Sequence, residues 1–277
     1  MPPRSLPDLT PVQVVALQDA LLSNADRLLA AAMAVLDLGN VGLARSLAIL
    51  GMEESGKAIA IHQRRVQIAF APEGEPFVTD RLNDLWAHHQ EKLELVYEFL
   101  VDESYWFGTE PAEPEVNRAY LGTIKRWTRR HDNLKKRGFY VELDKVGDAL
   151  TPDGVADEES LADVISHVHQ IGWQLRLGEH IEAKQQAQME LDVPPAAEGD
   201  VAGMREALSR IDNREVVENM LNAMRKGKPG QRLNNDTYRL KLPKPGSSPF
   251  ANMGRAGYEA ESRELMRLAK EVDQGQG

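Results

Sequence analysis

Residues 41–62 read VGLARSLAILGMEESGKAIAIH and are apolar on nearly every face of a helical wheel. A helix of this kind is buried on several sides. At about 100° per residue, Glu54 falls in the middle of the most apolar arc, which contains Leu47, Leu50, Gly51, Ala58 and Ile61. Glu53 and Lys57 lie beside it, spaced i,i+4 with the acid first, which favours an ion pair. Because a buried carboxylate is costly without a partner, we expect the partner of Glu54 to mark the functional part of the protein.

The composition indicates a soluble, cytoplasmic protein with no membrane span. The chain has 277 residues, of which 42% are hydrophobic and 27% charged, and its net charge is -10. It has no cysteine, which excludes disulfides and thiolate metal sites. The N-terminal segment MPPRSLPDLTP lacks an apolar signal core, and charged residues interrupt the apolar run from Leu28 to Ile61. The overall charge disfavours non-specific nucleic-acid binding, although a local basic patch remains compatible with it.

Hydrophobic periodicity predicts an all-α antiparallel helical bundle with a small irregular and helical C-terminal extension. Thr10 and Pro11 are typical of a helix start, and Gly39-Asn40 of a helix end followed by a short turn. The run Gly138 to Leu143 is the only strand-like segment of the first half. The predicted helices are Pro11 to Leu38, Val41 to Phe70, Thr79 to Tyr105, Val116 to Lys136, Glu158 to Glu190, a helical region within Val201 to Lys226, and Tyr258 to Val272.

The composition also predicts the domain organisation. We expect a disordered lead-in over residues 1–9, a helical domain over 10–192, a linker over 193–200 and an appendage over 201–277. Arg225 to Lys244 holds seven basic residues against one acid, Asp236. This tail is either an arm that binds RNA or a partner, or an extended arm packed on its own domain or on a second protomer.

Three polar residues occupy apolar stripes on three different predicted helices: Glu54, His89 and His131. Bundles build sites from side chains on facing helices, here with Lys57 and Lys92 nearby. A single histidine on such a stripe is more often a satisfied core residue, and the alternative role of a buried carboxylate is to fix the register of the helices. Both interpretations, a shared site and a structural cluster, stay open.

The residues disfavour a metal site and allow metal-free ribonuclease chemistry. The chain has neither the Glu-x-x-His motif of di-iron bundles nor HEXXH. Ribonuclease chemistry needs an acid or base and a fixed cation for phosphate charge. The fourth helix offers Arg126 and His131 with four residues between them, on a basic face suited to an RNA backbone. The alternative is a solvated basic face from which Trp127 and His131 pack inward.

Several motifs resemble the AbiV abortive-infection proteins of bacteria. LARSLAILGMEESGKA at 43–58 resembles their LA-LA-ALEE-GKA signature, His89 to Lys92 their H-x-x-K, and LKKRGFYVEL at 134–143 their K-x-R-GLYVD segment. The resemblance covers roughly residues 15–190 and implies a HEPN-like helical fold, a role in phage defence and arrest of protein synthesis after contact with a phage component. Many HEPN relatives are ribonucleases that act as dimers through an R-x(4–6)-H motif, a spacing that Arg126 and His131 fit.

We therefore predict an anti-phage effector that shuts down translation, as a homodimeric metal-independent ribonuclease with RNA as substrate, a phage-encoded activator protein and no cofactor. The alternative is a non-enzymatic binding or sensor protein of the same fold. The predicted catalytic residues are Arg126, His131, His89 and Glu54. The predicted binding residues are Glu53, Lys57, Lys92, Lys135 and Tyr140, the last covering one end of the polar cluster.

Overall fold

The protein is a bundle of helices, as the periodicity predicts. A computed structural model describes residues 6–102, 114–154, 158–211 and 213–241. These ranges contain the antiparallel strands β1 (Glu142–Leu143) and β2 (Ala149–Leu150), and nine α-helices. The helices are α1 (Pro11–Asp37), α2 (Val41–Phe70), α3 (Asp80–Ala87), α4 (His89–Val101), α5 (Pro114–Leu121), α6 (Ile124–Phe139), α7 (Glu158–Met189), α8 (Glu198–Ala207) and α9 (Arg214–Lys226). The tail helix predicted from Tyr258 to Val272 lies outside the described residues.

The helices α1 and α2 form the predicted hairpin. Thr10 and Gln13 make a reciprocal capping box at the start of α1. The chain reverses at Gly39, whose φ of 81° favours glycine. Asn40 then caps α2 by accepting a hydrogen bond from the backbone N–H of Leu43. These local signals place the bounds of both helices within one residue of the prediction.

Helix α2 is the centre of the bundle and packs against α1, α4, α6 and α7. Its apolar residues Ala48, Ile49, Met52, Ile59 and Ile61 are fully buried. The helix also buries three arginines, Arg45, Arg64 and Arg65. A helix that is enclosed on so many sides must satisfy its polar side chains inside the protein, and this requirement creates the ionic clusters described below.

Two predicted helices are interrupted, and the prediction of continuous helices there is wrong. The third predicted helix breaks at His88, which takes extended backbone angles between α3 and α4. The fourth breaks at Gly122, with a φ of 80°, and Thr123. The Tyr97 hydroxyl fixes this second break by donating a hydrogen bond to the Gly122 carbonyl over 2.5 Å.

The strand-like run from Gly138 to Leu143 is divided between two elements, because α6 continues to Phe139 and β1 contains only Glu142 and Leu143. The reason is a close crossing of α6 and α2. A Cβ atom on Gly138 would overlap the carbonyl oxygen of Gly42 and the hydroxyl of Ser46. The glycine is therefore required by helix packing and does not end the helix.

The segment after α9 returns to the main bundle. Helices α8 and α9 share a small core of Val201, Val217 and Leu221, and α8 begins inside the predicted linker. Residues 228–241, which we name the return segment, then reach the end of α2. There Asn235 Nδ2 donates hydrogen bonds to the carbonyls of Ile68 and Ala71, at 2.8 and 2.9 Å.

The return segment also closes over the start of the chain. The Tyr238 ring stacks on the buried Phe77 ring with centroids 5.5 Å apart, and its hydroxyl donates to the carbonyl of Leu9. Arg239 forms an ion pair with Glu190 after the end of α7. Within the described ranges, none of the helices has the length and apolar character needed to cross a membrane.

Candidate functional site

The buried carboxylate of α2 is Glu53, and the expectation that it is Glu54 is wrong. Glu53 is 4% exposed. Its Oε1 accepts a hydrogen bond from Lys135 Nζ on α6, and its Oε2 accepts one of 2.7 Å from His89 Nδ1 on α4. The helical wheel selects the wrong glutamate because α2 is enclosed on several faces. Its most apolar arc is therefore not the face that lies between α4 and α6.

Glu54 lies beside this position, and its side chain is 18% exposed. It pairs with Lys57 over 2.6 Å at i,i+3, in place of the predicted pair between Glu53 and Lys57. The Lys57 ammonium also lies 5.6 Å from the centroid of the Trp86 ring, within cation–π range. The Glu54–Lys57 pair therefore borders the buried carboxylate on the side of α3.

His89 is exposed, whereas the apolar stripe predicts it in the core. The break at His88 places His89 in the first turn of α4, where 62% of its side chain is accessible to solvent. Because a carboxylate only accepts, His89 Nδ1–H donates to Glu53, and Nε2 is left as the second ring nitrogen. The structure thus connects a solvent-accessible imidazole to a buried carboxylate.

Lys92 is buried at the place where α4 crosses α2 most closely. A Cβ atom on Gly56 would lie 2.5 Å from the Lys92 carbonyl oxygen, so the glycine permits the approach. Lys92 is 5% exposed. Burial and the nearby Lys57 ammonium lower its pKa, against the opposing effect of Glu53 and Glu54. Among the described residues, no carboxylate lies within 4.0 Å of its ammonium.

Helix α6 supplies the second cation. Lys135 is 8% exposed, and its backbone carbonyl accepts a 2.7 Å hydrogen bond from the hydroxyl of Ser46, next to the crossing at Gly138. Asp132 lies 3.5 Å from Lys135 and 2.6 Å from Lys136. We name Glu53, His89, Lys92 and Lys135 the Glu53 cluster. Two glycine-dependent helix crossings position its members.

Arg126 and His131 do not converge within the chain. Five residues on a helix correspond to a rotation of about 140°, and Arg126 is exposed while His131 is 7% exposed. The His131 ring lies 4.0 Å from the Trp127 ring, and its Nδ1–H donates to the Trp127 carbonyl over 2.8 Å. Burial lowers the pKa of His131 to about 4. His131 therefore has the core position that its stripe predicts.

Tyr140 follows α6 and is 64% exposed. It was expected to cover one end of the polar cluster. Its ring instead faces solvent beside Phe139, with the two centroids 6.3 Å apart.

A second ionic group, which the sequence analysis missed, joins α1, α2 and α7. Glu179 accepts hydrogen bonds from Arg65 (2.7 Å), Arg176 (3.2 Å) and Gln18 (3.1 Å), and Arg176 also pairs with Asp19 over 2.6 Å. We name these five residues the Glu179 network. The available signal was the presence of arginines in apolar helices, but Glu179 lies 114 residues from Arg65 along the chain, and Asp19 lies 157 residues from Arg176.

His62 lies next to the Glu179 network and is 5% exposed. Burial lowers its pKa to about 4, with Glu179 opposing the shift and Arg65 and Arg176 adding to it. The network thus surrounds a histidine that is neutral at physiological pH and has little access to solvent.

The Glu53 cluster and the Glu179 network differ in the chemistry that they allow. An imidazole whose Nδ1–H is held by a carboxylate can exchange a proton at Nε2, and the carboxylate stabilises the imidazolium form. His89 combines that arrangement with an exposed side chain. Across those ranges, no three His, Cys, Asp or Glu side chains are grouped so that they could hold a metal ion.

Comparison with known proteins identifies the family. No curated protein and no solved structure matches the chain significantly. A family model, that of the AbiV HEPN domain, matches residues 13–173. This range is more than half of the chain and includes every residue of the Glu53 cluster. The chain therefore belongs to the AbiV family of HEPN-type abortive-infection defence proteins.

Proposed function

We propose that this protein is an abortive-infection effector that shuts down translation by cleaving RNA without a metal ion, with His89 as its proton-transfer group. The observation that carries the proposal is the 2.7 Å hydrogen bond between exposed His89 and buried Glu53. Lys135 holds the other oxygen of the same carboxylate. This contact fixes both the orientation of the imidazole and the charge beside it.

The reaction that fits this arrangement is internal transesterification of RNA. His89 Nε2 removes the proton from a ribose 2′-hydroxyl, and the 2′-oxygen forms a bond to the adjacent phosphorus. The bond from phosphorus to the 5′-oxygen breaks, that oxygen takes up a proton from water, and the His89 imidazolium returns its proton to solvent. The products are a 2′,3′-cyclic phosphate end and a 5′-hydroxyl end. Glu53 stabilises the imidazolium that forms, and a positioned general base of this kind contributes about 10²- to 10⁴-fold to the rate.

Cations beside His89 would stabilise the charge of the phosphate. Lys92 is buried next to the carboxylate, and Lys57 is partly exposed on the same side of α2. A fixed cation in a partly desolvated site stabilises developing negative charge more strongly than one in water. Exposed Arg126 is accessible to a phosphate further along α6. We give His89 the acid–base role ahead of His131, because His131 is buried and its pKa is lowered to about 4.

The proposal includes two partners that the family resemblance implies: a second copy of the chain and a phage-encoded activator protein. Both partners would control when the site is active. The residues of the Glu53 cluster themselves all belong to one chain.

The experiment compares phage plaquing, RNA integrity and melting temperature in cells and protein carrying wild type, His89→Ala or His88→Ala. His88 is the matched control, because it is also exposed at the start of α4 and its side chain lies within polar contact of the Asp84 carbonyl and of Glu91. We expect His89→Ala to lose RNA cleavage and protection with a nearly unchanged melting temperature. We expect His88→Ala to retain both activities.

Two outcomes would contradict the proposal. Wild-type cells that are protected while their RNA stays intact would leave the non-enzymatic binding protein as the function. RNA cleavage by His89→Ala at the wild-type rate would exclude His89 as the proton-transfer group. A His131→Ala arm separates the two histidines: we expect it to lower the melting temperature, because it removes a ring packed on Trp127.

A further inference from the structure

The outer face of α6 carries cations that have no ion-pair partner among the described residues. In the part of the chain that the structure describes, five exposed cations on this helix have no carboxylate within 4.0 Å: Lys125, Arg126, Arg129, Arg130 and Arg137. Lys135 and Lys136 on the same helix do have partners, Glu53 and Asp132. An unpaired basic face in a protein of net charge -10 is a local exception that fits a polyanion.

Exposed aromatic rings lie at the end of this face. Tyr140 is 64% exposed and Phe139 is 39% exposed. Exposed aromatic side chains beside a basic groove are the platforms on which unpaired bases stack in single-strand binding proteins. The bases of a duplex are already paired and stacked, so they do not offer a free face to such a ring.

The same helix leads to the candidate site. Lys135, which holds Glu53, lies one turn before Phe139, and Lys136 is exposed beside it. A strand that follows the outer face from Lys125 to Tyr140 covers about 22 Å at 1.5 Å per residue. Its path would therefore extend past the position of Lys135 along the helix axis.

We propose that the outer face of α6 binds single-stranded RNA, with the five cations contacting phosphates and Tyr140 stacking on a base at the end of this face. This inference rests on the proposed function, because it supplies the strand that His89 cuts. It adds a preference for single strands over duplexes and assigns the residues that create it.

The test measures RNA binding by fluorescence anisotropy with the full-length His89→Ala protein, which prevents cleavage during the titration. The probes are an unstructured labelled 12-nucleotide RNA and the same sequence as a duplex, over a series of salt concentrations. We expect tighter binding of the single strand. The double reversal Arg129→Glu, Arg130→Glu should weaken it at least tenfold and reduce the slope of log affinity against log salt by about 1.4.

The matched control is the double reversal Arg210→Glu, Arg214→Glu, which changes net charge equally. Both residues are exposed and have no ion-pair partner among the described residues. We expect this control to bind RNA with the wild-type salt slope. An equal loss in both double variants, or equal affinity for the duplex, would overturn the proposal.

Tyr140→Ala tests the stacking separately from charge. We expect about tenfold weaker binding of the single strand with an unchanged salt slope, and Tyr140→Phe should restore it. If RNA binds as expected but wild-type protein does not cut it, the proposed function fails and the binding face stands. If the Arg129→Glu, Arg130→Glu protein binds and cuts RNA like wild type, the binding face fails and the function stands.

Discussion

Helix α2 carries two ionic groups that use the same residue types and differ in access to solvent. Glu53 and Arg65 are about 18 Å apart along the helix axis. In the Glu53 cluster, the carboxylate is buried and its histidine is 62% exposed. Beside the Glu179 network, the histidine is 5% exposed and its pKa is lowered to about 4. A charged cluster in a helical bundle is therefore a candidate for proton transfer only where one titratable member reaches solvent.

The largest expected effect comes from breaking the Glu179 network. Glu179→Ala leaves Arg65 and Arg176 buried without their shared carboxylate. Removing one partner of a buried ion pair costs about 3 to 5 kcal/mol, and we expect a loss of that order in the free energy of unfolding, measured with urea.

Glu94→Ala is the control for this prediction, since Glu94 is an exposed glutamate on α4. It should change stability little. A loss of less than about 1 kcal/mol in Glu179→Ala would show that the network is not the structural element we take it to be.

The next effect follows from the pH dependence of His62. Its pKa is 6.5 in the unfolded chain and about 4 in the folded one. The unfolded chain therefore binds the proton first as pH falls, and stability decreases between pH 6.5 and 4. The full contribution of this group is about 3 kcal/mol.

The measurement is urea unfolding of wild type and His62→Gln from pH 7 to pH 4.5. The variant cannot titrate at this position. Lowering the pH over this range should therefore reduce the stability of wild type more than that of the variant. Parallel curves would contradict the assigned burial of His62. His131, whose pKa is also lowered to about 4, contributes equally to both proteins.

The smallest expected effect distinguishes the two neighbouring glutamates. Glu54 is in a partly exposed i,i+3 pair, and such pairs contribute about 0.5 kcal/mol or less. Glu54→Gln should therefore leave stability and RNA cleavage close to wild type. Glu53→Gln should lower both, because it removes the negative charge between His89 and Lys135. Equal effects of the two substitutions would contradict the different roles that we assign to buried Glu53 and partly exposed Glu54.

Local signals were sufficient to predict much of the fold. The cap at Thr10, the turn at Gly39 and the long apolar periodicity place α1, α2 and α7 within a residue or two. The breaks at His88 and Gly122 were not predictable in this way, because apolar spacing continues across both positions. Helix packing decides them, together with contacts such as that from Tyr97 to Gly122.

The nine residues that the sequence analysis proposes for a site include the four members of the Glu53 cluster, but the analysis did not predict how these four pair. The motifs contain Glu53, Lys92 and Lys135, yet a helical wheel does not show which neighbour each side chain meets. The pairing depends on the two close helix crossings at Gly56 and Gly138. Contacts between α2 and residues on α1 and α7, as in the Glu179 network, depend on the same tertiary arrangement.

Asn235 in the return segment has a practical consequence for any shortened version of the protein. The family match ends at residue 173, inside α7, and a chain trimmed to that range would lose the amide that caps the end of α2. It would also lose Tyr238, which covers Phe77. The end of the recognisable family region is therefore not a safe place to cut, because the central helix of that region is finished by residues that no family signature includes.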